Sequence, residues 1–333
     1  MGVRGLLSSF LSFLAALFAT ACLSAVVRAD EYPNNKIRIL VPTAAGGVAD
    51  TLSRIIAAKV QDTIGQTVYV EDRPGANGNL GASVVLSSPA DAYTVMMGHI
   101  GLMTVNYHLY SKMEFNPIEA FVPIIHVVSY PDVLIVNNKL PVKTYAEFVK
   151  YVKESPKALA YSSSGFGSSF HMAMELLKVR AGFDAVHVPY TGTAPALNAL
   201  LSSAVDVTFS DVITAAPQIE AGNVRVLAVS GRHRVKSMPN VPTIAIEEAG
   251  LPGFVVVGWA GLVAKAGTPP ARIKLINEHV NRALQAQDVV ERVAALGAEV
   301  VGGTPDAFGK FMQDEDKKWG DLAKRADLRI KEK

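Results

Sequence analysis

Near the start of the chain stand the residues KIRILVPTAAGGVADTLSRIIAAKV, numbered 36–60. The apolar run at residues 37–41 is typical of a buried strand, and the apolar residues at 52–60 recur at helical spacing. Between them lies a loop of mostly small residues that runs from Pro42 to Asp50. A strand that passes through such a loop into a helix leaves backbone N–H groups unpaired at the helix start, where they bind anions. We therefore predict an anion-binding loop here.

The same order of strand, small-residue loop and helix returns further along the chain. In the first half, strand-like runs occupy residues 68–71 and 93–98, and a glycine-rich loop lies at residues 73–81. In the second half, the loops at residues 162–169 and 191–193 each follow a strand-like run and precede a helical one. Strands that alternate with helices form parallel units, and ligands bind at the carboxyl ends of such strands. Two matching halves predict one cleft with four loops around it.

Residues 1–29 have the pattern of a secretory signal peptide. Arg4 provides the positive start, a long apolar run follows, and residues 27–29 (VRA) offer a cleavage site before Asp30. Two alternatives are an uncleaved membrane anchor, because the apolar run is long enough to span a bilayer, and lipidation at Cys22. The residues before Cys22 fit a lipidation site poorly, so we expect cleavage near Ala29 and Asp30.

Composition narrows the classes of function. Half of the 333 residues are hydrophobic and 19% are charged, which is typical of a globular protein with a large core. Without Arg4 and Arg28 the chain has 30 basic and 30 acidic residues, and a surface with no net charge gives no support to nucleic-acid binding. Cys22 is the only cysteine, so after cleavage neither a disulfide nor thiol catalysis is possible.

The sequence offers no convincing catalytic or cofactor motif. The seven histidines are scattered without the spacing of a zinc site, and a phosphate-binding G-x-x-x-x-G-K motif is absent. Gly165 and Gly167 form a G-x-G without the third glycine of a dinucleotide site. We expect neither a metal nor another cofactor.

A serine hydrolase is the enzymatic alternative. The loop at residues 162–169 is rich in serine but lacks the G-x-S-x-G motif of a nucleophile elbow. A nucleophilic serine needs a nearby base, and His171 is the closest histidine in sequence. A histidine at a helix start more often packs or caps, so we expect a protein that is not an enzyme.

Hydrogen-bonding side chains gather at the predicted strand ends. They are Thr43, Asn77, Asn79, Ser163, Ser168, Ser169, Thr191 and Thr193. Each alone is compatible with an ordinary helix cap or turn residue, whereas four such loops in matched positions favour ligand binding. Asp50 and Asp211 also lie near the predicted cleft, where Asp50 would either complement a helix dipole or accept a hydrogen bond from a ligand amine.

A set of motifs between residues 32 and 328 is far more specific than any one loop. These are Pro42 with Ala45, Gly46, Gly47 and Asp50, ExRPGAxGNxGA at 71–82, LPVK at 140–143, SxGxGSSxH at 163–171, HVPYxGxAPAL at 187–197, VPT at 241–243, GLPGF at 250–254, WxGL at 259–262 and AGTPP at 266–270. With these motifs the chain resembles the Bug family, the periplasmic solute-binding proteins of tripartite tricarboxylate transporters.

The resemblance implies an α/β fold of the periplasmic-binding-protein type, a Venus flytrap of two α/β domains. Each domain would have a central, mainly parallel sheet, and crossover strands would join the two. Residues 30–130 with 253–333 would form one domain and residues 131–252 the other. The expected protein is a periplasmic monomer that closes on a small organic carboxylate, such as a di- or tricarboxylate, an acidic amino acid or an aromatic acid. Loop amides and water would bind this carboxylate, which membrane permease subunits would then take up. A ligand sensor for a membrane receptor is a further alternative.

Three departures from the family pattern affect the site. Thr43 and Ala45 replace an aromatic residue and a proline, Phe166 replaces a polar residue, and Ser210 precedes Asp211 where the family often has Asp directly. Phe166 would either contact an apolar part of the ligand or pack at the base of its loop. The predicted ligand-binding residues are Thr43, Ala44, Ala45, Gly46, Gly47, Asp50, Gly78, Asn79, Ser163, Gly165, Phe166, Gly167, Ser168, Ser169, Thr191, Gly192, Thr193, Ala194 and Asp211.

Overall fold

The structure is a computed structural model that describes residues 32–155, 157–245 and 250–330. The predicted signal peptide at residues 1–29, with Cys22, lies outside the described residues. Residues 32–35 belong to a separate N-terminal unit and contain neither helix nor strand. Every element given below lies in the compact unit that begins at Lys36.

Ten strands form the sheet in the described part of the chain. They are β1 (Ile37–Val41), β2 (Val68–Asp72), β3 (Thr94–His99), β4 (Phe121–Asn137), β5 (Leu159–Ser163), β6 (Ala185–Pro189), β7 (Val207–Asp211), β8 (Val224–Val229), β9 (Val257–Lys265) and β10 (Glu299–Gly302). Their order is β2-β1-β3-β9-β4-β7-β5-β6, and β8 and β10 also pair with β4. β1 pairs in parallel with β2 and β3, and β5 does so with β6 and β7. All pairings of β4 and β9 are antiparallel, so the sheet is mixed rather than mainly parallel.

Helices cover both faces of this sheet and follow most of the strands. They are α1 (Val48–Ile64), α2 (Asn79–Ser87), α3 (Asn106–Leu109), α4 (Pro117–Ala120), α5 (Tyr145–Glu154), α6 (Ser169–Ala181), α7 (Thr193–Leu201), α8 (Val212–Glu220), α9 (Pro270–Leu284), α10 (Gln287–Ala295) and α11 (Pro305–Arg325). A 3₁₀ turn at Ala76–Gly78 precedes α2, and a π-helical turn at Gly101–Val105 precedes α3. The alternation of strands and helices predicted from sequence is confirmed. No described helix combines the length and the apolar character that a membrane span needs.

The 17-residue strand β4 changes partners in its middle. Its residues up to Pro131 pair with β9, and from Asp132 onward it pairs with β7 and β8. The two faces of the second part bury different side chains. Leu134 belongs to a large apolar cluster, and Val133 belongs to a smaller one. β4 is therefore the crossover strand that the sequence predicted between two groups of strands.

Ser230 ties this crossover to the second connection, which leads into β9. The Ser230 hydroxyl is fully buried, accepts a hydrogen bond from the Asp132 N–H at 2.9 Å and donates to the Val256 carbonyl at 2.6 Å. The Val256 N–H donates in turn to the Ser230 carbonyl at 3.0 Å. One hydroxyl thus satisfies backbone groups of both connections, which would otherwise be buried without partners.

Some boundaries differ from those that local patterns predict. The apolar run at residues 254–257 resembles a strand, but the strand lies at Val257–Lys265, because Phe254 contributes to the core without pairing in the sheet. The short strands β8 and β10 were not predicted. Thr304 and Pro305 form a typical helix start, and Thr304 caps α11, since its hydroxyl accepts from the Ala307 N–H at 3.2 Å.

Replacing Ser230 by alanine should lower the free energy of unfolding by about 1–3 kcal/mol, because buried backbone groups of both connections lose their partner. Urea denaturation followed by circular dichroism measures this change. The control is Ser87→Ala on the exposed face of α2, which should stay within about 0.5 kcal/mol of the wild type. Equal stability of the Ser230 variant and the wild type would contradict this role.

Candidate functional site

The loop between β1 and α1 is shaped by Asp50. Gly46 has a φ of +81° and donates its N–H to Asp50 Oδ2 at 2.8 Å. Asp50 is almost completely buried, and its other oxygen lies 2.6 Å from Nε of Arg54. Both carboxylate oxygens therefore have partners within the protein. Of the two roles considered for Asp50, the structural one is observed, with the Gly46 amide as its partner.

Other donors of this loop remain unused. α1 begins after Gly47 without any side chain that caps its first turn. Residues 44–47 are exposed, and the Thr43 hydroxyl is buried without a hydrogen-bond partner. The first-turn N–H groups and the Thr43 hydroxyl are the donors that this loop can offer to an anion.

The loop between β5 and α6 satisfies several of its own polar groups. The Gly165 N–H donates to the Ser163 hydroxyl at 3.2 Å, and the Gly167 N–H donates to Nδ1 of His171 at 3.2 Å. Ser168 caps α6, because its hydroxyl accepts from the His171 N–H at 3.3 Å. The two glycine amides, which the sequence suggested as anion donors, therefore fix the shape of the loop.

Stacked histidine and tyrosine rings pack at the base of the loop between β5 and α6. His171 and His187 stack with ring centroids 4.2 Å apart, and Tyr161 stacks on His187 at 4.7 Å. Burial lowers the pKa of both histidines to about 3, so both are neutral at pH 7. Phe166 contacts their edges at 5.4 and 4.8 Å and is still 39% exposed, so it packs at the loop base and also presents a free face.

The serine that meets a histidine is Ser163, and its partner is His187 rather than His171. Ser163 Oγ and His187 Nε2 are 2.6 Å apart. Ser163 is fully buried, and His187 Nδ1 has no hydrogen-bond partner in the described structure. A catalytic triad needs an acid that orients the histidine and a histidine basic enough to accept a proton. This pair shows neither feature.

The loop between β6 and α7 resembles the first loop in one respect. α7 begins at Thr193 after Gly192, whose φ is +120°, and no side chain caps it. Thr191 and Ala194 beside it are exposed. Uncapped helix starts thus occur in both groups of strands, at α1 and α2 in the first and at α7 in the second, whereas Ser168 caps α6.

Asp211 caps α8. Its two oxygens accept from the N–H and the hydroxyl of Thr214 at 2.8 and 3.1 Å. The neighbouring Ser210 hydroxyl is buried without a partner, and it projects to the opposite face of β7 because side chains alternate along a strand.

Asparagine side chains connect the loop after β2 with the loop after β5. Asn106 donates to Asn79 Oδ1 at 2.8 Å, and Asn77 donates to Asn106 Oδ1 at 2.7 Å and to the Phe166 carbonyl at 3.1 Å. We call the Asn77–Phe166 hydrogen bond the closing contact. Gly78, with a φ of +96°, ends the 3₁₀ turn that places Asn79 at the start of α2.

Glycine permits the close approach of these two loops. A Cβ at Gly101 would lie 2.8 Å from Nδ2 of Asn77 and 3.1 Å from the carbonyl oxygen of Gly167. A Cβ at Gly167 would lie 3.0 Å from Oδ1 of Asn106. Larger residues at either position would force the loops apart.

Asp132, at the point where β4 changes partners, is a residue that the sequence-based site did not include. It is 0% exposed, and neither carboxyl oxygen has a hydrogen-bond partner. Burial and the nearby charge of Asp211 raise its pKa well above the usual value, although the Ser169 hydroxyl lies near enough to favour the charged form. A charged residue within an apolar strand was the pattern that could have identified it. No group of three potential metal ligands occurs among the described residues.

Comparison with known protein sequences identifies a family with the same sequence pattern. Residues 52–328 match the TctC family, the tripartite tricarboxylate transporter family receptor. A UPF0065 protein from the tcbD-tcbE intergenic region of Pseudomonas sp. strain P51 is 35% identical over 307 residues, which are 92% of this chain and 91% of that protein. Protein BugT of Bordetella pertussis is 34% identical over 326 residues, or 98% of this chain and 99% of BugT.

Solved structures agree with this context. R. palustris Rpa4515 with adipate superposes with a TM-score of 0.80 at 34% identity, covering 89% of this chain and 99% of Rpa4515. MatC of Rhodopseudomonas palustris with bound malate has a TM-score of 0.77 at 34% identity, over 87% and 99% of the two chains. The periplasmic binding protein BugD has a TM-score of 0.77 at 32% identity, over 90% and 99%. The predicted periplasmic-binding-protein fold is confirmed, and the chain belongs to the TctC family of solute-binding receptors.

Proposed function

We propose that this protein binds a small organic carboxylate and delivers it to the permease of a tripartite tricarboxylate transporter. The observation that carries the proposal is the pair of uncapped helix starts at α1 and α7, one in each group of strands. Their first-turn N–H groups and the helix dipoles favour an anion. Neighbouring structures with adipate and with malate support a carboxylate as that anion.

Two-domain closure follows from the same arrangement. We place the domains at residues 30–130 with 253–333 and at residues 131–252, with the change of partners in β4 at their boundary. The closing contact then joins the two domains around the ligand, and release of this contact reopens the cleft. The glycines at positions 101 and 167 allow the loops to meet.

The cellular setting comes from the family and the N-terminal pattern. We propose that residues 1–29 direct export and that the mature protein works in the periplasm, where its relative BugD is a binding protein. We propose further that it works as a monomer. A sensor that presents its closed form to a membrane receptor would use the same cleft. The Ser163–His187 pair gives the hydrolase alternative little support, because it lacks an acid partner.

A thermal-shift screen of organic acids tests the proposed function. The panel contains succinate, malate, adipate, citrate, acidic amino acids and benzoate, with matched neutral amides as controls. A bound acid should raise the melting temperature by mass action, by several degrees at about 100 times Kd, because ligand adds about 2.7 kcal/mol of stability there. Absence of a shift with every acid, or equal shifts with the amides, would falsify carboxylate binding.

Gly47→Leu tests the helix start of α1. Gly47 has a φ of −76°, and a Cβ there would meet only the Ala44 carbonyl at an ordinary 3.4 Å, so the fold should tolerate the change. The larger side chain should block access to the first-turn N–H groups and weaken acid binding by at least about tenfold. Ala286→Leu is the matched control, because Ala286 starts α10 from a similar extended conformation. Calorimetry should show normal affinity for the control only, and normal affinity for Gly47→Leu would remove α1 from the site.

Gly101 provides a test of closure. Gly101→Leu should place a side chain against Asn77 and the Gly167 carbonyl and so prevent the closing contact, whereas Gly101→Ala should have a smaller effect of the same sign. Small-angle scattering with a bound acid should show a larger radius of gyration for the leucine variant than for the wild type. Identical scattering and affinity in the two proteins would argue against closure through these loops.

A further inference from the structure

Asp132 combines complete burial with a lack of partners. Neither of its oxygens has a partner in hydrogen-bonding geometry, although the Ser169 hydroxyl lies close enough to act on the carboxyl group, and within the described residues no basic side chain forms an ion pair with Asp132 or with Asp211. A buried carboxyl group without partners destabilises a fold, so such groups are normally paired or hydrogen-bonded. The protein alone therefore does not provide a hydrogen-bond partner for the Asp132 carboxyl group.

Its position is that of a ligand-binding group. Asp132 lies opposite Asp211 in the register of β4 and β7, and the Ser169 side chain at the start of α6 approaches it. Asp211 ends β7, and five residues separate the end of β5 from the start of α6. In α/β sheets of this kind ligands bind at the carboxyl ends of the strands. The unpartnered oxygens thus lie where the proposed cleft meets the crossover.

No basic side chain among the described residues acts on the pKa of Asp132. The titratable groups that act on one another here are Asp132, Asp211 and Tyr130, and all three are acids. Asp211 already accepts two hydrogen bonds from Thr214, which leaves Asp132 as the open acceptor. A positively charged hydrogen-bond donor is therefore the partner that the Asp132 carboxylate lacks.

We propose that Asp132, beside Asp211, binds a protonated amine of the ligand, so that the substrate of this protein is an amino-substituted carboxylic acid. The proposal rests on the proposed function, in which the helix starts at α1 and α7 bind the carboxylate. An ammonium group brings three N–H donors and a positive charge to two unused acceptor oxygens. Carboxylate and amine of the ligand would then be recognised by different parts of the cleft.

The first test uses pairs of acids that differ only in the amine: succinate and L-aspartate, glutarate and L-glutamate, adipate and L-2-aminoadipate. Calorimetry on the wild type should show, for at least one pair, a preference of about 10- to 100-fold for the amino member, as expected for a charge-assisted hydrogen bond. In Asp132→Asn this preference should fall below about threefold. Asp184→Asn, which changes a carboxylate with an 89% exposed side chain in the same half, should keep it.

Folding of the variant is checked separately. Without ligand, Asp132→Asn should melt at or above the wild-type temperature, because an amide of the same shape has no charge to bury. A variant that loses amine preference without any loss of stability identifies recognition, whereas a purely structural Asp132 would show a lowered melting temperature in the variant and an intact preference. This second result would overturn the proposal.

Proton release gives an independent measurement. Burial and Asp211 raise the pKa of Asp132, which favours the protonated carboxyl in the free protein, and an arriving ammonium favours the carboxylate. Binding measured over a series of pH values, each in two buffers of different ionisation heat, should therefore show a pH range in which the wild type releases protons and Asp132→Asn releases fewer. Proton uptake with tighter binding of the acids without amine would mean that a neutral Asp132 donates to a second carboxylate, and it would overturn the proposal. Acid binding without amine preference would refute this inference alone, and no binding of any acid would remove the proposed function with it.

Discussion

The pairing of β4 is the constraint on which the rest of the structure depends. One strand pairs with β9 up to Pro131 and with β7 and β8 from Asp132, so two groups of strands share a continuous backbone. Ser230 joins this crossover to the second connection through hydrogen bonds on both sides. These buried hydrogen bonds hold the two connections together at one place. The loops at the strand ends take no part in these bonds.

Local patterns were enough to predict most strands, helices and loops. The stretch at residues 36–60 and its counterpart at 159–179 have the expected strand, loop and helix, since a run of apolar residues and a small-residue loop act over short distances. The short strands β8 and β10 escaped prediction because they pair with β4 far away in sequence. The same holds for the Asp132–Ser230 bond, whose residues are 98 positions apart.

The binding site stays a prediction, and the sequence could assign it to loops but not to individual hydrogen-bonding groups. The glycines at positions 46, 165 and 167 lie in the expected loops, but their N–H groups donate to Asp50, Ser163 and His171. The sequence shows which amides lie near a helix start. Only the fold shows whether a side chain of the protein already accepts the hydrogen bond of such an amide. Two further features are visible only in the fold: the uncapped starts of α1 and α7, and the buried Asp132 carboxyl group without a hydrogen-bond partner.

The ring stack below the loop at residues 163–168 has a consequence for acid conditions. His171 and His187 have pKa values of about 3 in the folded protein, against 6.5 in an unfolded chain. Between these values the unfolded chain takes up protons that the folded one does not, so acid lowers stability as the pH falls from 6.5 towards 3. Over the same range the stack stays uncharged, and Nδ1 of His171 remains an acceptor for the Gly167 amide. A fall in pH therefore lowers the fraction of molecules that are folded before it changes the shape of this loop in the folded ones.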